Sequence, residues 1–151
     1  MAKFKCELPT GLINELTKLE RNTPKMMEEM TEAGAEVVYK NVKSNMKTSF
    51  KDSAKLEKYL KVTKTYRTKD GSVNTKVGFY GYYKKGSKSF SVTSKKGQTY
   101  SYDGIPVPLI VRAREYGSSS GEAKKPFFRK SFNKSQIESA MLKVQKKYIK
   151  E

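Results

Sequence analysis

Histidine and tryptophan are absent from this 151-residue chain, and cysteine occurs once, at Cys6. Without histidine, the chain's own residues build neither a Ser-His-Asp triad nor a Cys-His pair. Clustered Cys and His ligands of the kind zinc sites use are missing for the same reason. One cysteine excludes an intrachain disulfide and fits synthesis in a reducing cytoplasm. Long apolar runs are also missing. No stretch approaches the roughly 18 apolar residues of a membrane span, and MAKFKCELPTGL carries no apolar signal-peptide core. The expectation is a protein that is soluble and intracellular when made, without enzymatic activity, cofactor or metal.

Negative charge is scarce. Lys and Arg number 32 against 15 Asp and Glu, a net of +17. The excess is lopsided: residues 1–60 carry 11 basic and 9 acidic side chains, whereas residues 61–151 carry 21 and 6. Such a density favours an anionic partner, whether nucleic acid, an acidic protein surface or a membrane. Apolar residues make up 36% of the chain against 31% charged, which allows a modest core. The length suits one domain spanning 1–151. A core this thin points to stability drawn partly from partners.

Residue periodicity predicts the elements. LPTGLINELTKLERN reads as a short helix, with Leu12, Leu16 and Leu19 at helical spacing. A longer helix over 24–48 follows, with Thr23 as N-cap and Pro24 in its first turn. Met26, Met30, Ala33, Val37, Asn41 or Val42, and Met46 form its apolar stripe. Glu28, Glu29, Glu32 and Glu36 read as a solvated face beside that stripe. SAKLEKYL, residues 53–60, reads as a short helix or turn. The period then changes to two. Leu60, Val62, Lys64 and Tyr66 share a strand face, Asp70-Gly71 signals a hairpin, and Val73, Thr75, Val77 and Phe79 alternate on the return. SFSVTS and QTYSY form a second pair around Lys95-Lys96-Gly97. Pro108 opens a short helix that stops at Gly117. Residues 118–125 form a flexible polar loop, and a last helix runs from about Pro126 with a restart near Asn133. Its stripe is Ile137, Met141, Val144 and Tyr148. The whole is α+β: a long N-terminal helix and a C-terminal helix packed on a small antiparallel sheet.

Two near misses narrow the function. GYYKKGSK, Gly81 to Lys88, superficially resembles a phosphate loop. However, Gly86 is followed by Ser87 and then Lys88, where nucleotide binding needs Gly-Lys-Ser/Thr before a helix. Tyrosines interleaved with lysines in GFYGYYKKGSKSFSVTS could stack bases beside phosphates. A sheet with an aromatic face and a lysine face explains them equally, and no RNA-recognition signature accompanies them. Lys84, Lys85, Lys88, Lys95, Lys96, Lys124 and Lys125 are the candidate contacts with an anionic partner.

REYGSSSGEAKKPFFRKSF, Arg114 to Phe132, sets a helix end, a glycine and a basic loop before paired phenylalanines. Gly117 permits a positive-φ stop and Pro126 presets the next segment. Glu115 and Arg129 are placed to pair across the loop. On a helix Phe127 and Phe128 would diverge by about 100°, so one should seal the core while the other meets the sheet or a neighbouring subunit. This stretch resembles the gene-product-ten-like neck and tail-component family of tailed bacteriophages. The family signature is similar to Glu-[Phe/Tyr]-Gly-[Thr/Ser] followed by Pro-Phe-[Leu/Phe]-Arg-Pro-Ala. The chain keeps Glu115, Tyr116, Gly117, Ser118, Pro126, Phe127, Phe128 and Arg129, and departs at Lys130-Ser131.

The resemblance implies a structural virion component that forms a ring, commonly a hexamer, and joins tail to head around the DNA channel. Its partners would be connector, tail-terminator or tail-tube proteins, with non-specific contact to packaged DNA and no membrane. The motif residues would then lie at a subunit interface, and the loop would order on assembly. The alternative is a non-specific DNA- or RNA-binding module driven by the basic region 61–151.

Overall fold

The structure, a computed structural model, describes residues 10–84, 89–118, 121 and 123–150. A single helix, α1 (Thr10–Ser49), replaces the two expected at this end. Pro24 sits inside it, and Thr23 is no cap: its hydroxyl donates to the Leu19 carbonyl at 2.7 Å. Proline in a helix interior forfeits one hydrogen bond and costs about 3 kcal/mol. The run continues because Leu, Lys, Glu and Met on both sides are strong helix formers.

α2 (Ser53–Glu57) turns the chain into eight short strands among the described residues. β1 (Leu60–Val62) and β2 (Tyr66–Arg67) pair antiparallel with β4 (Val77–Phe79) and β3 (Val73–Asn74) around the expected Asp70-Gly71 turn. The Asp70 carboxylate accepts from the Thr68 and Ser72 hydroxyls, tying the turn. β5 (Tyr82–Tyr83) pairs with β8 (Ile105–Pro106), and between them β6 (Ser89–Thr93) pairs with β7 (Thr99–Asp103). Gly104 joins β7 to β8 at φ 112°, where a Cβ would lie 2.8 Å from the Tyr83 carbonyl oxygen. Only glycine fits there. α3 (Val107–Tyr116) carries Pro108 in its first turn. A single 3₁₀ turn over Arg129–Ser131 then precedes α4 (Lys134–Lys150).

The last helix therefore starts at Lys134, later than Pro126. Asn133 accepts from the Gln136 N–H at 3.3 Å and begins it, at the expected restart. α4 lies antiparallel on α1: Asn41 donates to Gln136, and the Tyr148 hydroxyl donates to Glu29 at 2.7 Å. Gly34 allows the close approach, since a Cβ there would stand 3.3 Å from Ile137.

Val38, Val42 and Met46 on α1 meet Leu56, Leu60, Phe79, Val107 and Phe127 in the core. Met46 is fully buried, in keeping with a packing role for methionine. Val38 lies off the stripe read from the sequence. Two partners, the sheet and α4, occupy different faces of α1, so one stripe could not describe both. The glutamates of α1 form a solvent-facing row whose members also make surface contacts. Glu28 pairs with Arg67 at 3.0 Å, Glu32 accepts from Thr65 at 2.9 Å, and Glu36 lies 3.6 Å from Lys40.

Candidate functional site

The segment after α3 is organised by one buried carboxylate. Glu115, in the last turn of α3, has a side chain only 4% exposed. Its Oε2 accepts from the backbone N–H groups of Phe127 at 2.8 Å and Phe128 at 2.9 Å. Its Oε1 accepts from the Arg129 N–H at 3.2 Å and from Arg129 Nε at 3.0 Å. Three consecutive N–H groups thus converge on one carboxylate at the head of the 3₁₀ turn, an anion nest filled by the chain itself. The expected Glu115–Arg129 pair is present, and the backbone donors beside it could not have been read from side-chain chemistry.

Burial works to push the Glu115 carboxyl up. The Phe128 and Phe127 N–H groups and the Arg129 side chain outweigh it and hold the group below its ordinary value. The arrangement is chemically quiet, because an ionised carboxylate with every neighbour donating to it is a poor proton acceptor.

The rest of the motif serves this clasp. Gly117 stops α3 at φ 83° and ψ 168°, a region that side chains other than glycine's essentially avoid. Tyr116 is 57% exposed and lies under the Arg129 guanidinium at 4.8 Å from the ring centre. Phe127 is completely buried, edge-on to Phe50 and Phe79. Phe128 packs on Phe79 of β4 and on Phe132. Phe127 thus seals the core and Phe128 meets the sheet, the division expected, although residues 126–128 are not helical. Ser131 stands where the resembling signature has alanine. It is fully buried, its hydroxyl donating to the Phe127 carbonyl at 2.7 Å and accepting from Asn45 at 2.9 Å. A small residue is retained there and its added polar atom is satisfied.

Two further residues escaped sequence reading. Arg114 donates bidentately to Asp52 at 3.0 and 2.9 Å and lies over Phe50 at 4.8 Å. The Arg114 bond draws the Asp52 carboxyl below its usual range. Neighbouring residues at the end of α3 therefore fasten two different parts of the chain: Arg114 the α1–α2 corner, Glu115 the lead into α4. Only the juxtaposition of Arg and Glu hinted at this.

The lysines do not converge. Lys84 pairs with Asp103 at the base of the second hairpin. Lys95 and Lys96 are exposed at its tip, Lys124 is exposed, and the exposed Lys125 lies near Phe50. Lys85 and Lys88 lie outside the described residues, as do residues 119, 120 and 122 of the loop. Among the described residues no group of three or more His, Cys, Asp or Glu is placed to hold a metal, and no helix is long and apolar enough to cross a membrane.

The described residues thus form an α+β domain whose buried Glu115 carboxylate is satisfied within the chain. Residues 11–100 match the family described as "Bacteriophage HK97-gp10, putative tail-component", and the chain belongs to that family. The match ends before Glu115, so it stands independently of the motif that first carried the resemblance. No curated protein and no solved structure matches the chain.

Proposed function

We propose that the chain is a structural component of the phage neck or tail end, one subunit of a ring that helps join tail to head around the DNA channel. The observation that carries this reading is family membership over residues 11–100. Two features support it. Chemistry by the chain's own side chains has little to work with, since histidine is absent and the buried Glu115 carboxylate is consumed in a clasp. The net charge of +15 over residues 61–151 suits a subunit that faces acidic neighbours or packaged DNA. In this reading the protein is made in the host cytoplasm, acts in the virion, and performs no turnover.

The test is assembly. In a phage lacking this gene, filled heads and finished tails should accumulate unjoined, and supplying the chain should restore particles. Joined, infectious particles without it would refute the role. Metal-dependent nuclease activity abolished by one carboxylate substitution would also contradict it.

The exposed Lys95-Lys96 tip favours a second reading, non-specific nucleic-acid binding. A phosphate-driven binder loses affinity with a log–log salt slope of about 0.9 per contact on duplex DNA. Tight binding to one sequence that survives high salt would favour a dedicated nucleic-acid module over the neck protein.

A further inference from the structure

Among the described residues, two apolar faces stand out as exposed. The first is on α1. α4 covers α1 from Asn41 to Glu29, and beyond that residues 14–22 are all exposed. Leu16 and Leu19 are 54% and 40% exposed, on the continuation of the stripe that α4 covers further along. This overhang has Pro24 at its base, and a helical segment of its length is marginal alone in water.

The second face is on the β6–β7 hairpin. Val92 and Tyr100 are cross-strand partners, 42% and 49% exposed. Tyr102 lies two residues along on the same face, and Tyr82 stacks on it at 5.2 Å between ring centres. The opposite face is polar, with Ser91 across from Ser101 and Thr93 across from Thr99. A two-stranded ribbon with an open apolar face is also marginal by itself.

We propose that the α1 overhang of one copy docks on the β6–β7 hairpin of a second copy, a head-to-tail contact that repeats from subunit to subunit. Charge complementarity selects this occupant. At 100° per residue Glu15 and Glu20 flank the leucine stripe, while Lys18, Arg21 and Lys25 fall on the back of the helix. At the hairpin tip Lys95 and Lys96 are exposed, while the hairpin's one acid, Asp103, is paired with Lys84. Two overhangs would bring like acidic flanks together, and two hairpins would bring lysines together. A heterologous contact between unlike surfaces generates a closed ring, or an open filament if the rotation does not close. The inference rests on the ring reading above and names the surfaces that build the ring.

The test uses the full chain, measured by size exclusion with light scattering, beside Leu16→Glu/Leu19→Glu and Val92→Lys/Tyr100→Lys. All four positions are exposed, so melting of dilute protein should match the parent and separate lost assembly from lost folding. The parent should self-associate, and each variant alone should be weakened by at least about 100-fold. An equimolar mixture of the variants should form discrete dimers, since one retains the hairpin and the other the overhang. A Cys6→Ser chain carrying Leu19→Cys and Tyr100→Cys should give a ladder of oxidised oligomers.

A parent that assembles while the variants assemble equally, with no cross-linked ladder, overturns this contact and leaves the ring intact. Assembly lost in the hairpin variant alone also overturns it, in favour of a symmetric hairpin contact. A parent that stays monomeric at every concentration, by itself and in joined particles, overturns the ring and the contact together. Cross-linking of the Leu19→Cys position to a different virion protein assigns the overhang to that partner and overturns the second-copy proposal.

Discussion

The corner around Glu115 and the two projections obey opposite rules. At the corner, Phe127 and Ser131 are fully buried, and no buried side-chain nitrogen or oxygen among the described residues lacks a partner. On the projections, Leu16, Leu19, Val92 and Tyr100 are open, although their spacing is as regular as any in the core. The difference teaches where the chain completes itself. A glycine stop at Gly117 and a carboxylate aimed at three N–H groups fix the end of α3 to the lead into α4. Two amphipathic faces are left unfinished.

The most damaging single change should be Phe127→Ala. Truncating a buried phenylalanine costs about 3–5 kcal/mol, and here it would open a cavity between Phe50 and Phe79. Thermal unfolding should show a large fall in Tm or loss of the folded state. A near-normal Tm would mean that the corner is slack and the comparison is wrong.

Next comes Glu115→Gln, expected to cost about 1–3 kcal/mol because an amide cannot accept as the carboxylate does at both oxygens. Its pH signature is specific. The Glu115 carboxyl is held below its ordinary value, so its contribution is fully present above the unfolded-state value, about 4.3 for glutamate. It fades as pH falls through the lower, folded-state value. The parent should lose more stability than Glu115→Gln over that acid range, and parallel curves would show that the clasp contributes nothing.

These two residues also mark how far the sequence could be read. Helix and strand identity followed from spacing: the Asp70-Gly71 hairpin, the 89–103 hairpin and the Asn133 restart lie where periodicity and turn chemistry place them. What misled was local grammar overruled by continuity. Thr23-Pro24 has the form of a helix start, yet the flanking residues carry α1 through it. The paired phenylalanines do take the two environments expected, Phe127 the core and Phe128 the sheet, although no helix at 127–128 sets them apart. The Glu115–Arg129 pair was legible because it joins opposite charges. The backbone donors were not, because every residue carries an N–H and only the fold decides where three of them point. Arg114 with Asp52 spans 62 positions and leaves no periodic trace.

Smaller effects sharpen the other half of the comparison. Leu16→Glu or Val92→Lys should shift the free chain's folding stability by less than about 0.5 kcal/mol, because neither side chain is buried. A loss of several times that in dilute monomer would place these residues in the folding core. Smallest of all should be Lys124→Ala with Lys125→Ala. Both side chains are exposed, and only Lys125 approaches an aromatic ring, 5.9 Å from the Phe50 centre. Melting should be unchanged within error, and any effect should appear as a shallower salt dependence of binding to acidic partners.

Backbone hydrogen exchange, followed by mass spectrometry on dilute chain and on assembled particles, tests the contrast most directly. The Phe127, Phe128 and Arg129 amides should exchange only with global unfolding in both states, since all three donate to Glu115. Residues 14–22 and 89–103 should exchange fast in the dilute chain and become protected on assembly. Protection of both projections in the dilute chain, or none gained in the particle, would contradict the account.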